Sequence, residues 1–438
     1  MKIDTIIHAT WIAPVEPLDT LHHHYSIAIH EGRIQDLLPK QEILDKYSAD
    51  VEIKLDNHVL IPGLINTHTH SPMSLMRGLA DDLPLMDWLN NHIWPTEHKH
   101  VSAEFVLDGS LLACAEMIKS GTTCFNDMYF FPEITARAVE QAGMRAKLGL
   151  ILVDFPSAWA ADADEYLAKG IELHDKLRSN SLISTAFAPH APYTVSDAPL
   201  KRLATYAEEL DIPVHIHLHE TADEVEQAVS DSGQRPIARL NKLGLMSPRL
   251  LAVHMTQLNE DEINLVAETG AHVLHCPESN LKLASGFCPT FKLQQAGINI
   301  SLGTDSAASN NDLDMISEMH TAALLAKAVA SNASALPAED VLRMATINGA
   351  KALGLDTEIG SLEVGKSADI TAVDLGGIEN QPVYCPVSQL IYSAGRDNVT
   401  NVWVAGNHLL KDKELTTMDE KSILEKASYW HEKITNDK

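Results

Sequence analysis

A His-x-His pair, three further histidines alternating along one run, and an aspartate behind a glycine carry the clearest chemical potential in this chain. His68 and His70 end the run GLINTHTH. On a strand, side chains two apart share a face, so both imidazoles can take neighbouring positions around one metal ion. His215, His217 and His219 alternate along VHIHLHE, with Glu220 following at once. Alternation puts all three on one face, and depth favours His217 or His219, nearer the strand end, without choosing between them. His254, closing LLAVH, reads as a ligand or a base. Asp305, after INISLGT, can coordinate a metal and accept a proton from its water, whereas a buried aspartate lacking any partner is costly. A second His-x-His, His98-Lys99-His100, lies in a polar helical stretch and reads as solvated surface.

The elements that must position these groups lie in residues 63–356. Short apolar runs there alternate with amphipathic stretches such as DAPLKRLATYAEELD and NDLDMISEMHTAALLAKAVA. The runs are GLINTHTH, TTCFNDMYF, AKLGLILVD, STAFAPHAPY, VHIHLHE, LLAVHMT, HVLHCPES and INISLGTDS. Eight buried strands alternating with helices predict an α/β fold, a parallel (β/α)₈ barrel of the TIM type. A doubly wound open sheet is the competing topology, but no GxGxxG follows the first strand. Such barrels keep their chemistry at the C-terminal ends of the strands. Here the runs end in His68 and His70, Asp127, Asp154, His190, His217 with Glu220, His254, His275 and Asp305.

The flanks, 1–62 and 357–438, have a different texture. TIIHATWIAP, HYSIAIHEG, RIQDLLP and VEIKLDNHVLIPG at one end, and SADITAVDLGG and NVTNVWVAGNHLLKDKEL at the other, are strand-like runs with turn signals. Neither set alone buries a face. The two termini are therefore expected to meet as one small β-sandwich, the second half adding a C-terminal helix.

Composition narrows the partners. The 438 residues include 33 basic and 60 acidic side chains, a net charge of −27. That surface repels phosphate backbones and anionic lipid, which argues against nucleic acid or membrane and leaves a neutral or zwitterionic small molecule. No basic segment precedes a long apolar run, and no stretch of about 18 apolar residues occurs, so neither a secretory signal nor a membrane span is expected. The five cysteines never form a CxxC pair, which points to a reduced, cytoplasmic protein. STAFAPHAPY has no lysine of the kind that bridges two metals in binuclear barrel hydrolases, so one metal is expected.

The motifs PGLINTHTHSPMSLMRGLADDLPLMDWL, GTTCFNDMYF, APHAPY, HLHET, VHMTQ, HCPESNLKLASG, LGTDSAASNNDLD and GSLEVGKSADI, in this order, resemble the amidohydrolase superfamily. The likeness is closest to its 5′-methylthioadenosine/S-adenosylhomocysteine deaminases. The resemblance implies one divalent ion, zinc with ferrous iron as the alternative, on His68, His70, His217 and Asp305. It makes Glu220, His254 and Asp305 catalytic, His254 touching the metal's water rather than the metal. His215 and His219 become structural. Trp88, Glu97, His190, Glu220 and Asp305 contact an adenine nucleoside, with Glu97 accepting bonds from the ribose hydroxyls. The implied reaction is hydrolytic deamination at C6 by a homo-oligomer. Guanine deaminases and chloro-triazine hydrolases on the same scaffold are the alternative, against which Glu220, suited to protonating a purine nitrogen, argues. A metal-binding scaffold without catalysis would lack one of His217, Glu220, His254 or Asp305, and none is missing. Relatives that accept S-adenosylhomocysteine hold its carboxylate with arginines after strand three. Residues 149–164 here contain no arginine or lysine, and Phe155 and Trp159 are expected to offer apolar surface to a methylthio group. Arg145 and Lys147, just upstream, are the cations that a shifted register would bring in.

Overall fold

The computed structural model describes residues 1–436, and its centre is an eight-stranded parallel sheet rolled into a barrel. The strands are Leu64–Thr69, Thr122–Asp127, Arg145–Leu152, Ile183–Pro189, Val214–Leu218, Leu250–His254, His272–His275 and Ile300–Leu302, adjacent in chain order. Helices cover the outside and side chains fill the inside, so both strand faces are buried and the runs read as continuously apolar. The eighth strand meets the first largely through side chains. Thr67 donates to the Leu302 carbonyl at 2.8 Å, Asn66 bonds both N–H and hydroxyl of Thr304, and Asp305 N–H reaches the His68 carbonyl at 2.9 Å. Gly303 makes this seam: a Cβ there would stand 2.7 Å from the His68 nitrogen.

Helix ends follow from local chemistry. Glu260–Thr269 begins in a capping box between Asn259 and Glu262, and Ala222–Ser232 begins where the Thr221 hydroxyl accepts the Glu224 N–H. These caps fix where each helix starts relative to the strand before it, and hence the loop that carries Glu220.

The chain ends form one nine-stranded mixed sheet. Ser48–Pro62 lies between Lys2–Ile12, parallel to it, and Ile370–Asp374, antiparallel to it. The sheet continues through Tyr25–His30 and Arg33–Pro39 on one side and Val399–Val404, Asn407–Lys411 and Glu414–Leu415 on the other. It curls until Arg33 bridges Ser367 and Ile34 N–H bonds the Lys366 carbonyl. Ile7, Ile27, Ile29, Leu60, Ile370 and Trp403 fill the space enclosed. The C-terminal helix, Glu420–Asn436, packs on the barrel helix Ala103–Lys119, where Trp430 Nε1 donates to Asp108 at 2.9 Å. Residues 437 and 438, grouped with the second flank above, lie outside the described residues.

Sheet and barrel are tied by a buried ion pair. Arg145, at the start of the third strand, places Nε 3.0 Å and Nη2 3.3 Å from the two Asp369 carboxylate oxygens. Asp369 also accepts from Ser367 Oγ and the Ala405 N–H. Arg145→Ala leaves that carboxylate buried without its counter-charge. The expected loss is about 3–5 kcal/mol, read as a lower urea or thermal transition; an unchanged transition would show the pair to be dispensable.

Candidate active site

Two strand ends, the first and the fifth, and the turn after the eighth strand bring His68, His70, His217 and Asp305 together, with one ligating atom from each all within 4.8 Å of one another. His68 Nε2 and His70 Nε2 lie 3.2 and 3.3 Å from Asp305 Oδ1, and 3.2 and 3.3 Å from His217 Nε2. The far ring nitrogens are held from behind. His70 Nδ1 donates to the Met128 carbonyl at 2.5 Å and His217 Nδ1 to the His190 carbonyl at 2.7 Å. Carbonyls only accept, so the proton sits on Nδ1 and the Nε2 lone pairs of these two rings face the centre. His68 Nδ1 shares a hydrogen bond with His215 Nε2 at 2.9 Å. Asp305 Oδ2 accepts from Ser279 and Ser309, at 2.6 and 3.1 Å, and Oδ1 from the Ser306 N–H at 2.8 Å.

The electrostatics suit a cation. Burial lowers His68 to about 4 and His217 well below the usual histidine range, so both are neutral near pH 7. For His70 burial also lowers the pKa, but the Asp305 carboxylate outweighs it and raises the group. Burial would raise Asp305; the bonds from His68 and His70 instead hold it well below the carboxylate range. Three nitrogens and one anionic oxygen converging at this spacing fit a tetrahedral divalent site.

Glu220 and His254 stand beside the cluster, Oε2 of one 3.8 Å from Nε2 of the other. His254 Nδ1 is committed to Asn280 Oδ1 at 2.8 Å, which leaves Nε2 to face Glu220. Burial pushes the Glu220 carboxyl up, and Asp305 adds to it. Behind it Glu224 accepts the N–H groups of His219 and Glu220, at 3.1 and 2.7 Å. His254 and Asp305 adopt φ of 72° and 62°, a strained left-handed turn at the strand ends that aims both side chains inwards.

Above these groups opens a cavity of about 670 Å³, lined among others by Trp88, Glu97, Tyr129, His190, Tyr193 and Phe155. Of the residues assigned above to metal, catalysis or substrate, all but the fully buried His68 and Trp159 face it. Several sequence expectations are corrected. His219 does not share a face with His215 and His217: the strand ends at Leu218 and the chain turns at His219 (φ 53°), sending its ring towards the Gln257 carbonyl and Glu262. His100 is buried rather than solvated, on the inner side of its helix, while His98 is exposed at the cavity rim. Trp159 is buried against Tyr166, its Nε1 donating to Glu133, and offers the cavity nothing; Phe155 does. Asp154 turns outwards to cap Ser196 N–H at 2.8 Å. Arg145 and Lys147 sit at the opposite end of their strand, Arg145 on Asp369 and Lys147 buried near the Thr185 carbonyl. Tyr129, Tyr193, Ser279 and Ser309 were given no role from the sequence, although each lies in a quoted motif, GTTCFNDMYF, APHAPY, HCPESNLKLASG and LGTDSAASNNDLD, two to four residues past a marked strand end.

Known proteins resemble the whole chain. Two 5-methylthioadenosine/S-adenosylhomocysteine deaminases, from Teredinibacter turnerae and Saccharophagus degradans, are each 52% identical to it. The alignments cover 99% and 98% of this chain and 98% and 97% of theirs. A crystal structure of an adenosine deaminase from Xanthomonas campestris with bound zinc superposes with a TM-score of 0.98 at 52% identity, covering 99% of both chains. An atrazine chlorohydrolase from Arthrobacter aurescens, complexed with zinc, shares the fold at a TM-score of 0.91 and 21% identity, over 97% of this chain and 99% of its own. Residues 59–409 match the amidohydrolase family, and with the metal-ready cluster at the mouth of an eight-stranded barrel the chain belongs to that family.

Proposed function

We propose that this protein removes the 6-amino group of adenine nucleosides by hydrolysis, converting 5′-methylthioadenosine to 5′-methylthioinosine and ammonia. The observation that carries the reading is the convergence of His68, His70, His217 and Asp305 directly beside the Glu220–His254 pair. The deaminase names of the relatives at 52% identity support it over the triazine and guanine alternative. One divalent ion, zinc before ferrous iron, would be held by His68, His70, His217 and Asp305. When bound it supplies Lewis acidity that brings the pKa of a water towards about 7.

The side chains do the rest. Asp305 and His254 orient the attacking water and take up its proton, His254 through the Nε2 that Asn280 leaves available. Glu220 delivers a proton to ring N1 as C6 is attacked, which removes the aromatic resistance to addition. Burial favours the protonated carboxyl and so suits it to that donation. The proton taken from water passes to the amino group, which leaves as ammonia, while the C6 hydroxyl gives its proton back to Glu220 and becomes the carbonyl, the N1 proton staying on the product. Trp88 and His190 border the base and Glu97 the ribose, in positions that face the cavity. The test is a panel of adenine nucleosides followed by the adenine-to-hypoxanthine absorbance change and by ammonia release; no turnover of any of them would end the reading.

The cavity itself argues for the methylthio substrate. Among the described residues that line it, none is an arginine or lysine, and Phe155, Pro156 and Ala158 form part of its wall. A carboxylate leaving water needs a cation, best a bidentate guanidinium. We therefore expect kcat/KM to be highest for 5′-methylthioadenosine, with adenosine accepted and S-adenosylhomocysteine at least about tenfold worse, or about 1.4 kcal/mol. Equal efficiency with S-adenosylhomocysteine would mean its carboxylate finds a cation outside this wall.

No helix among the described residues is long and apolar enough to cross a membrane, and none of the five cysteines is in a disulfide. These features support a cytoplasmic enzyme. Ile378 and Tyr384, each 93% exposed within one segment, support a homo-oligomer.

A further inference from the structure

The roof and wall of the cavity meet at one hydrogen bond that the proposed chemistry does not use. Glu97 lies on the helix Trp94–His100, which with Leu85–Trp88 and the π turn Leu89–Ile93 forms the roof. Tyr129 belongs to the opposite wall, two residues beyond the second barrel strand. Its hydroxyl donates to Glu97 Oε1 at 2.6 Å. Tyr129 is itself buried, and its ring lies edge-on to Phe130 with centroids 5.5 Å apart, so the phenol has little freedom. Burial pushes its ionisation well above the usual phenol range and the Glu97 charge adds to that, which makes it a fixed donor. Glu97 is different. It has three rotatable bonds and a carboxylate with about four acceptor positions, and without a fixed partner it would be ordered only when a sugar arrives.

We propose that Tyr129 is a positioning residue for sugar recognition: by holding Oε1 it aims the remaining acceptor positions of Glu97 at the ribose cis-diol, and so makes the site select ribonucleosides over analogues lacking those hydroxyls. The proposal rests on the nucleoside reading given above. Its hydroxyl is spent on Glu97 and its ring packs on Phe130, so its effect belongs in substrate binding rather than in the chemical step.

The experiment compares wild type, Tyr129→Phe, Glu97→Ala and the double variant on 5′-methylthioadenosine and on 2′,3′-dideoxyadenosine. Tyr129→Phe keeps the ring and its packing. It should raise KM for 5′-methylthioadenosine about tenfold, the scale of one hydrogen bond to a charged group, with kcat within about threefold of wild type. On the dideoxy substrate the variant and wild type should have the same kcat/KM. In the Glu97→Ala background, Tyr129→Phe should change nothing further, because the residue it acts through is gone. An equal loss on both substrates, a full additional loss in the double variant, or no loss on 5′-methylthioadenosine would each overturn the proposal. A wild-type protein that deaminates none of these nucleosides removes the nucleoside reading and this inference with it; normal wild-type turnover with an indifferent Tyr129→Phe removes this inference alone.

Discussion

Protein stripped of divalent metal loses at least about a thousandfold in turnover, and one equivalent of zinc per chain restores it. The expectation comes from the acidity that the site must confer, a shift in water pKa from about 15.7 towards about 7. The side chains left in a stripped site supply no equivalent. One equivalent follows from the cluster: His68, His70, His217 and Asp305 form a single tetrahedral donor set, and strand four, Ile183–Pro189, carries no lysine to bridge a second ion. The check is elemental analysis alongside a chelation and add-back titration. Two metals per fully active chain would contradict the mononuclear site. Full activity in a metal-free preparation would contradict the mechanism as a whole.

Glu220→Gln should keep the metal and lose at least about a hundredfold in turnover. The four ligand side chains are untouched by the change, and Glu224 binds the backbone N–H of residue 220 rather than its carboxyl, so the loop keeps its shape. What disappears is the acid that meets ring N1. A glutamine has nearly the same size and still donates a hydrogen bond, but has no proton to give. Normal turnover would show that another group protonates the ring. Loss of metal together with activity would show that Glu220 coordinates it.

Much of this site could be read from the sequence because barrel strands impose a simple rule. Apolar residues run until the strand leaves the core, and the residue that ends the run faces the mouth. His68, His70, His254 and Asp305 were found by that rule, which left His217 and His219 open until the family resemblance chose His217. It misled where the backbone turns sharply. His219 looks like a third member of an alternating set, yet a left-handed turn at that position sends its ring away. Asp154 ends its run as His190 does, but caps a neighbouring loop instead. Period cannot register a change of backbone direction that occurs within one residue. Groups that act through side chains distant in sequence were less legible still. Ser279 holds Asp305 and Asn280 holds His254, each 26 residues away, because neighbouring strand ends lie side by side. The C-terminal helix looked like an appendage of the sheet; its apolar stripe instead meets the barrel helix through Phe105 and Trp430. Nothing in an amphipathic pattern names its partner.

The order of strands in the terminal sheet has a consequence for how the chain is made. Ser48–Pro62 pairs with Lys2–Ile12 early in synthesis, but its other neighbour, Ile370–Asp374, emerges only after the entire barrel. Until then one edge of that strand is open. The half not awaiting residue 370 carries Asp50, Glu52, Lys54 and Asp56, charges of the kind that keep open edges from pairing with other chains. The half that does wait, from His58 to Pro62, is Val-Leu-Ile at its centre and has no such guard. A ribosome stalled within the barrel, or a protease that trims the C-terminal strands, thus releases a chain with a sticky edge directly ahead of His68. Quality control that recognises exposed apolar strands would meet this protein there first.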